Sequence, residues 1–513
     1  MREHPLPAVF AKLTEAEPGS KTESDLCAFL EKMLQTAPGC YILPSAMPYA
    51  AAGLAADSPR VRSLACSQIG RAMAFFPDVA EASLPSLVEA LADPDGGVAK
   101  AAAASLANLA GHTEEVPSAR QLSSVSPPVL AAMLESVTRV AQQHPSPEVR
   151  LRAYALAATV AGRSRSAAEA VASAGLMTGL LREVEGAKGD VLAAMAAMEL
   201  LAEIAEASPE AAAGLGSIET LLQTLARVVS SGDGHVRERA AAVGARIAAA
   251  GAGAHAGALP PGSSALVGSL EDAMTSPEAE PGAAEAAVTA LGCLAESEAG
   301  SEAMCSRAPL VSALAAAALG GGTRVDTRVA ALHALASLAG AGVDNGNSRP
   351  VSARHVAVVK DSVYDAVGGS TPADRVWALL ERGGDAFLEV RVAAYRLIAA
   401  LGRQRWFARE VSAHAALFAK VSDAAGESTP PACRWRHEAA RGLLAAAEEE
   451  EAAAGQTTRG ADVLAAAVAA GPFGAGGGVT WRRRWPRRGD EMSSPGDAAS
   501  APLTRRRPDA ASE

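Results

Sequence analysis

One spelling recurs along the chain. An acid or a proline at a turn is followed by Val-Arg or a near equivalent, then by an Ala-rich run with Leu at helical spacing, and it closes on Leu-Ala or Ala-Gly. Clear copies are ADSPRVRSLACSQIG from Ala56, DPDGGVAKAAAASLANLAG from Asp93, PSPEVRLRAYALAATVAG from Pro145, GDGHVRERAAAVGARIAAAG from Gly232, VDTRVAALHALASLAG from Val325 and GDAFLEVRVAAYRLIAALG from Gly384. Weaker copies begin near Gly189, Ala283 and Cys433. In the copy from Pro145, Val149, Ala153, Leu156 and Val160 fall at i, i+4, i+7 and i+11, one face of a 3.6-residue helix, which predicts that this face turns inward. Pro147 suits the first helical turn, where a missing N–H costs nothing, and Asp57, Asp93, Glu148 and Asp233 stand where a helix N-terminus favours negative charge. Between these inner helices the pattern predicts outer ones: SLPSLVEALAD from Ser83, SAGLMTGLLREVEG from Ser173 and GSIETLLQTLARVVS from Gly216.

Anchors at 61, 98, 149, 191, 236, 284, 327, 390 and 436 step by 37, 51, 42, 45, 48, 43, 63 and 46 residues. Most steps lie near the roughly 40–47 residues of HEAT and armadillo repeats. A helix pair of that length cannot bury its apolar stripe alone, so stacking on neighbours must supply the core. The expected fold is all-α, a right-handed α-solenoid of HEAT/armadillo-like helical repeats with a disordered C-terminal tail. Residues 1–55 read as an N-terminal helical cap, 56–451 as the repeat array, and 452–513 as a low-complexity, Arg-rich, mostly disordered tail. Surface loops are expected at 111–128, 251–264 and 340–354, the last being the insertion within the 63-residue step.

Composition narrows the choice further. Hydrophobic residues make up 49% of the 513, mostly small aliphatics, while aromatics stand at 4%. Sheets draw on β-branched and aromatic residues, so a sheet-centred fold is excluded. The net charge of -11 gives no general attraction to nucleic acid or anionic membrane, and neither is expected as a partner. The tail reverses the balance, with eight arginines against five acids from Gly471 onward. The charge-free runs 247–270 and 463–481 are interrupted by Gly and Pro, which argues against membrane helices. MREHPLPAVF at the start does not spell a secretory signal. Cysteines 27, 40, 66, 293, 305 and 433 show no Cys-x-x-Cys pair and read as small buried apolar residues in a reducing compartment.

Chemistry-bearing motifs are sparse. GAGAHAG from Gly251 has the letters of a dinucleotide loop but follows an Ala-rich helix rather than a strand. His437-Glu438 lacks the second histidine of a helical zinc site, since position 441 is Arg. No cofactor, metal or enzymatic activity is expected. The most regular polar row is Arg62, Lys100, Arg150, Arg237 and Arg391, which follow the anchors at 61, 98, 149, 236 and 390. Two readings stay open: each cation pairs with an acid of the neighbouring repeat, which is preferred, or the row docks an acidic partner surface. Trp377, Trp406, Phe407 and Trp435 read as the core of the last repeats, with partner contact as the alternative. WRRRWPRR from Trp481 reads equally as a nuclear-import or anion-binding arm and as a solvated tail. An import-type peptide groove needs a ladder of Trp and Asn, and Asn occurs only at 108, 345 and 347.

Several strings resemble, in order and spacing, the 26S proteasome non-ATPase regulatory subunit 5 family of assembly chaperones. They are SQIGR (67–71), VAKAA (98–102), EVRLRAY (148–154), SAGLMTGLLREV (173–184), the stretch 387–401 with Trp406 after it, and CRWRHEAARGLLA near the end. The resemblance spans roughly residues 55–447. It implies a curved helical array that cradles the C-terminal domain of a proteasomal AAA ATPase subunit of the base, with other base subunits as further partners. It also implies departure before the mature particle forms, no catalysis, a monomer when free, and a cytoplasmic and nuclear location. The strongly Ala-enriched body and the Arg-rich tail depart from the family pattern. A general armadillo scaffold or adaptor is the alternative.

Overall fold

The computed structural model describes residues 6–109, 127–163, 167, 170–171, 173–186, 189–207, 215, 218–252, 257–276, 281–342, 348–382, 388–454 and 460–474. Among the described residues the chain is helical, the one extended pairing being an isolated antiparallel bridge between Ala341 and Ser348. It divides into two compact units, Met1–Arg375 and Val376–Glu513.

In the first unit the predicted inner helices form a continuous row. Pro59–Phe75 packs on Gly96–Asn108, which meets Pro147–Ala161, then Val191–Ala207, Gly234–Gly251, Pro281–Leu294 and Val325–Leu338. A second row runs alongside through Pro77–Glu89, Pro127–Gln143, Leu176–Glu185, Glu219–Ser231 and Ser263–Thr275, each helix touching the next. Pairs such as Pro127–Gln143 with Pro147–Ala161, and Glu219–Ser231 with Gly234–Gly251, form the repeats. This is an all-α solenoid.

The local physics follows the spelling. Val149, Ala153, Leu156 and Val160 are all buried, as the 3.6-residue period requires, and Pro147 stands in the first turn behind the N-cap Ser146. The alanines act as spacers. Ala102, Ala153, Ala194, Ala197, Ala240 and Ala331 are fully covered, each methyl contributing on the order of 0.8 kcal/mol, so stability accumulates over many repeats. Gly70 marks a close approach of two inner helices, because a Cβ there would meet the Ser105 Cβ at 2.2 Å. Ser105 Oγ in turn donates to the Cys66 carbonyl at 3.0 Å, stitching two inner helices together.

Local detail adds to these expectations. The cap of the helix Gly96–Asn108 is Asp95, its carboxylate accepting from Gly97 N and Val98 N, and Asp93 stands two residues before it. The insertion after Gly340 is not merely a surface loop. Gly340 takes φ +96°, Arg349 N donates to its carbonyl, and the Arg349 guanidinium reaches Ser301 Oγ at 2.6 Å and the carbonyls of Ala295 and Ser337. The segment 111–126 and residues 253–256 and 343–347 lie outside the described residues, as does the Cys40 side chain.

In the second unit Leu388–Leu401 packs on the long helix Pro430–Ala454, which also receives Arg405–Ala413 and Ala415–Ser422. Tyr395, Phe407 and Leu417 are fully buried. Trp406 meets Phe407 edge to face at 5.5 Å, Trp377 lies 5.9 Å from His414, and the Arg396 guanidinium sits 5.7 Å over Trp435. Of these aromatics Phe407 belongs to the buried core, while Trp377, Trp406 and Trp435 are half-buried. Position 452 falls inside the helix Pro430–Ala454, and a further helix, Ala461–Ala469, packs on it through Ala461, Leu464 and Ala467. The ordered chain therefore continues past 452; WRRRWPRR and the rest of 475–513 lie outside the described residues.

Candidate functional site

The cationic row occupies one helical position repeatedly. Arg62, Arg150, Arg237 and Arg391 are each the fourth residue of their helix, and Lys100 the fifth. A side chain there can reach back to the turn before its own helix and forward to the next repeat. Arg62 does both: Nε and Nη2 donate to the two Asp93 carboxylate oxygens at 2.8 and 3.0 Å, while Nη1 donates to the Ala56 and Asp57 carbonyls at 2.9 Å each. Arg150 repeats the arrangement. It holds Glu183 at 2.6 and 3.0 Å, and its Nη1 donates to the His144 and Pro145 carbonyls.

Electrostatics agree with this geometry. The hydrogen bond from Arg62, ahead of the bond from Asp95 N and the nearby charges, holds the Asp93 carboxyl below its ordinary range, and the bond to Asp93 raises the Arg62 guanidinium. Arg150 is raised in the same way by Glu183. Both pairs are largely covered, with side-chain exposures of 16% and 12% for the first and 20% and 15% for the second. These two arginines are consumed by the stack, as the cross-repeat reading expects.

The other rungs differ. Lys100 is exposed. Arg237 keeps the backward bond, to the Gly232 carbonyl at 3.0 Å, but its Nε is buried without a hydrogen-bond partner. Arg391, in the second unit, is 8% exposed. Its Nε lies 3.6 Å from Glu427, a carboxylate that also takes Lys420 at 3.1 Å and the Tyr395 hydroxyl at 2.9 Å. Burial and the Glu427 charge push the Tyr395 hydroxyl upward.

Arg328 belongs to the same set. It is the fourth residue of Val325–Leu338 and donates to the Gly320 carbonyl at 3.3 Å, with Nε buried and unpartnered. Burial, with Arg375 adding to it, holds this guanidinium below its usual value. A search for Val-Arg passes over it because Thr327 stands where the other copies have Val. Further pairs bridge helices about one repeat apart: Arg227 with Glu185 at 2.7 Å, Arg307 with Glu271 at 2.9 Å, Arg239 with Glu199 and Arg246 with Glu206. Arg152 adds bonds back to the Leu91 and Asp93 carbonyls.

Other groups offer little reactive chemistry. Burial pushes the thiols of Cys66, Cys293 and Cys305 up to about 11, so they stay protonated near neutrality and are poor nucleophiles. His437 is held low by burial, and Glu438 pairs with Arg441. Among the described residues no group of three or more His, Cys, Asp or Glu is placed to hold a metal ion, and no helix is long and apolar enough to cross a membrane.

Comparison with known proteins adds a partial family match and a fold. Residues 9–233, somewhat less than half of the chain, match the family described as proteasome non-ATPase 26S subunit, which supports a proteasome-related family for this protein. No curated protein matches. Among solved structures the chain is similar to Kap121p, with a TM-score of 0.58 at 15% identity over 87% of this chain and 43% of that one. An engineered protein aligns at 19% identity over 86% of this chain and 99% of that one, with a TM-score of 0.43. The chain spans less than half the length of Kap121p, and the likeness concerns the helical-repeat fold alone.

Proposed function

We propose that this protein is a non-enzymatic assembly chaperone for the base of the 26S proteasome regulatory particle. It holds the C-terminal domain of an AAA ATPase subunit on the solenoid surface and leaves before the particle is complete. The observation that carries the reading is the family match over 9–233, and the stacked helical pairs support it by offering a long, stiff face of the kind used for protein recognition. Arg62 and Arg150 are spent on the stack, so contact falls to exposed side chains such as Lys100. A transient complex calls for a polar, moderate-sized interface rather than an obligate apolar one. The protein acts in the cytoplasm and the nucleus, as a monomer when free.

Affinity purification of the tagged full chain from its native cells tests this. The expected result is co-purification of base ATPase subunits, with the chain absent from assembled particles separated by native gel. Recovery as a stoichiometric component of mature proteasomes would overturn the chaperone role. A general helical scaffold is the second reading, supported by the stacked helical-repeat fold; cytoskeletal or trafficking proteins in place of ATPases would select it.

A further inference from the structure

We propose that a cavity at the start of the first unit binds a short peptide segment of a partner protein, one that carries a bulky apolar side chain beside a lysine or arginine. The cavity measures about 400 Å³ and lies among the helices Leu6–Glu15, Lys21–Leu34, Ala37–Gly53 and Pro59–Phe75. That is within the roughly 300–1,000 Å³ typical of ligand sites. Its walls are mainly apolar, with Leu13, Leu30, Leu34 and Val61 among them. Phe10 and Tyr49 stack face to face at 4.4 Å along one side.

Two features define the guest. The charged residues lining the cavity, Glu23 and Asp57, are both acids, so an anion is disfavoured and a cation beside the apolar group is favoured. Gln68 also lines the cavity, is only 4% exposed, and has no hydrogen-bond partner on either its carboxamide nitrogen or its oxygen. A buried donor or acceptor left unpaired is unfavourable, and a peptide unit brings both complements, a carbonyl and an N–H. Tyr49, in the cavity wall, is 37% exposed, an aromatic rim that suits a chain segment longer than the cavity itself. The inference goes beyond the proteasomal reading and does not require it.

The test selects a phage-displayed library of random twelve-residue peptides on the full-length chain. Enriched peptides are then measured against the wild type, Gln68→Leu and Ala52→Trp; Ala52 lines the cavity from an exposed position, so a tryptophan blocks it without entering the core. The expected result is enrichment of large apolar residues next to Lys or Arg, with at least tenfold weaker binding by both variants. Gln68→Leu should also raise the melting temperature of the free protein, since it removes an unpaired carboxamide, whereas a carboxamide with a purely structural role would lower it on removal. No enrichment, enrichment of acidic peptides, binding unchanged in Ala52→Trp, or a lowered melting temperature for Gln68→Leu would each overturn the proposal. So would a small apolar molecule found in the purified chain by native mass spectrometry and displaced by Ala52→Trp.

Discussion

Arg62→Ala removes four hydrogen bonds at once: two to Asp93 and one each to the carbonyls of Ala56 and Asp57. Breaking a buried ion pair by deleting one member costs about 3–5 kcal/mol, because the other charge stays behind without its partner. Asp93 retains the bond from Asp95 N at 2.8 Å and some solvent contact, which places the loss near the lower end, about 3 kcal/mol. Lys100→Ala, at an exposed position in the same row, should stay within about 0.5 kcal/mol. A chain of two units and many repeats does not unfold in one step, so a global melting curve gives the direction of a change but is the wrong readout of its free energy. Hydrogen exchange of the amides in Pro59–Phe75 and Gly96–Asn108 is the right one, run as a double-mutant cycle with Asp93→Ala. The pH dependence gives an independent check. The folded Asp93 carboxyl lies below its ordinary value, so the pair's contribution is complete above the unfolded value, about 3.9. It fades as the pH falls from there through the folded value. Coupling should therefore be equal at pH 7 and pH 5 and decline only in stronger acid. Coupling under about 0.5 kcal/mol, or coupling lost between pH 7 and pH 5, would refute the idea that this ion pair fixes the spacing of adjacent repeats.

Further outcomes follow from other residues. Truncation after Gly474 should leave the unfolding of the second unit unchanged, whereas truncation after Ala454 should lower its melting temperature. The shorter chain loses Ala461–Ala469 and the Pro472 carbonyl that accepts from the fully buried Arg436; calorimetry of both truncated chains decides. Gly460→Ala should destabilise the same helix by about 1–3 kcal/mol, since Gly460 takes φ +90° and a Cβ there would meet the Phe418 ring at 2.7 Å. Limited proteolysis near residue 460 would report it. Iodoacetamide at pH 8 should leave Cys66, Cys293 and Cys305 unmodified in the folded chain and label them after denaturation, as mass spectrometry would show, because burial holds these thiols near 11.

How far the fold was legible in the sequence can be traced to particular residues. The inner helices announced themselves because burial imposes a 3.6-residue period, and Val149, Ala153, Leu156 and Val160 obey it without interruption. What periodicity cannot express is a polar group satisfied at long range. Arg349 looked like part of a solvated loop because its acceptors, Ser301 Oγ and the Ala295 and Ser337 carbonyls, lie 12 to 54 residues away. Ala461–Ala469 looked like tail because its Ala and Gly surroundings carry few large aliphatics, yet Ala461, Leu464 and Ala467 suffice against a long helix already in place.

The cationic row shows the same limit from the opposite side. The fourth-position arginines 62 and 150 are closed by acids 31 and 33 residues downstream, Asp93 and Glu183, but spacing alone does not close a rung, since Asp361 stands 33 residues after Arg328. At Arg237 and Arg328 the backward bond to the turn remains while Nε has no partner. The spelling of a repeat therefore sets the reach of its arginine, and the acid of the following repeat decides whether that reach becomes a clamp. At Arg237, where neither the residue 31 nor the residue 33 positions downstream is an acid, supplying one, and not altering the arginine, should stiffen the array. The Arg62–Asp93 cycle measures how much a closed rung is worth.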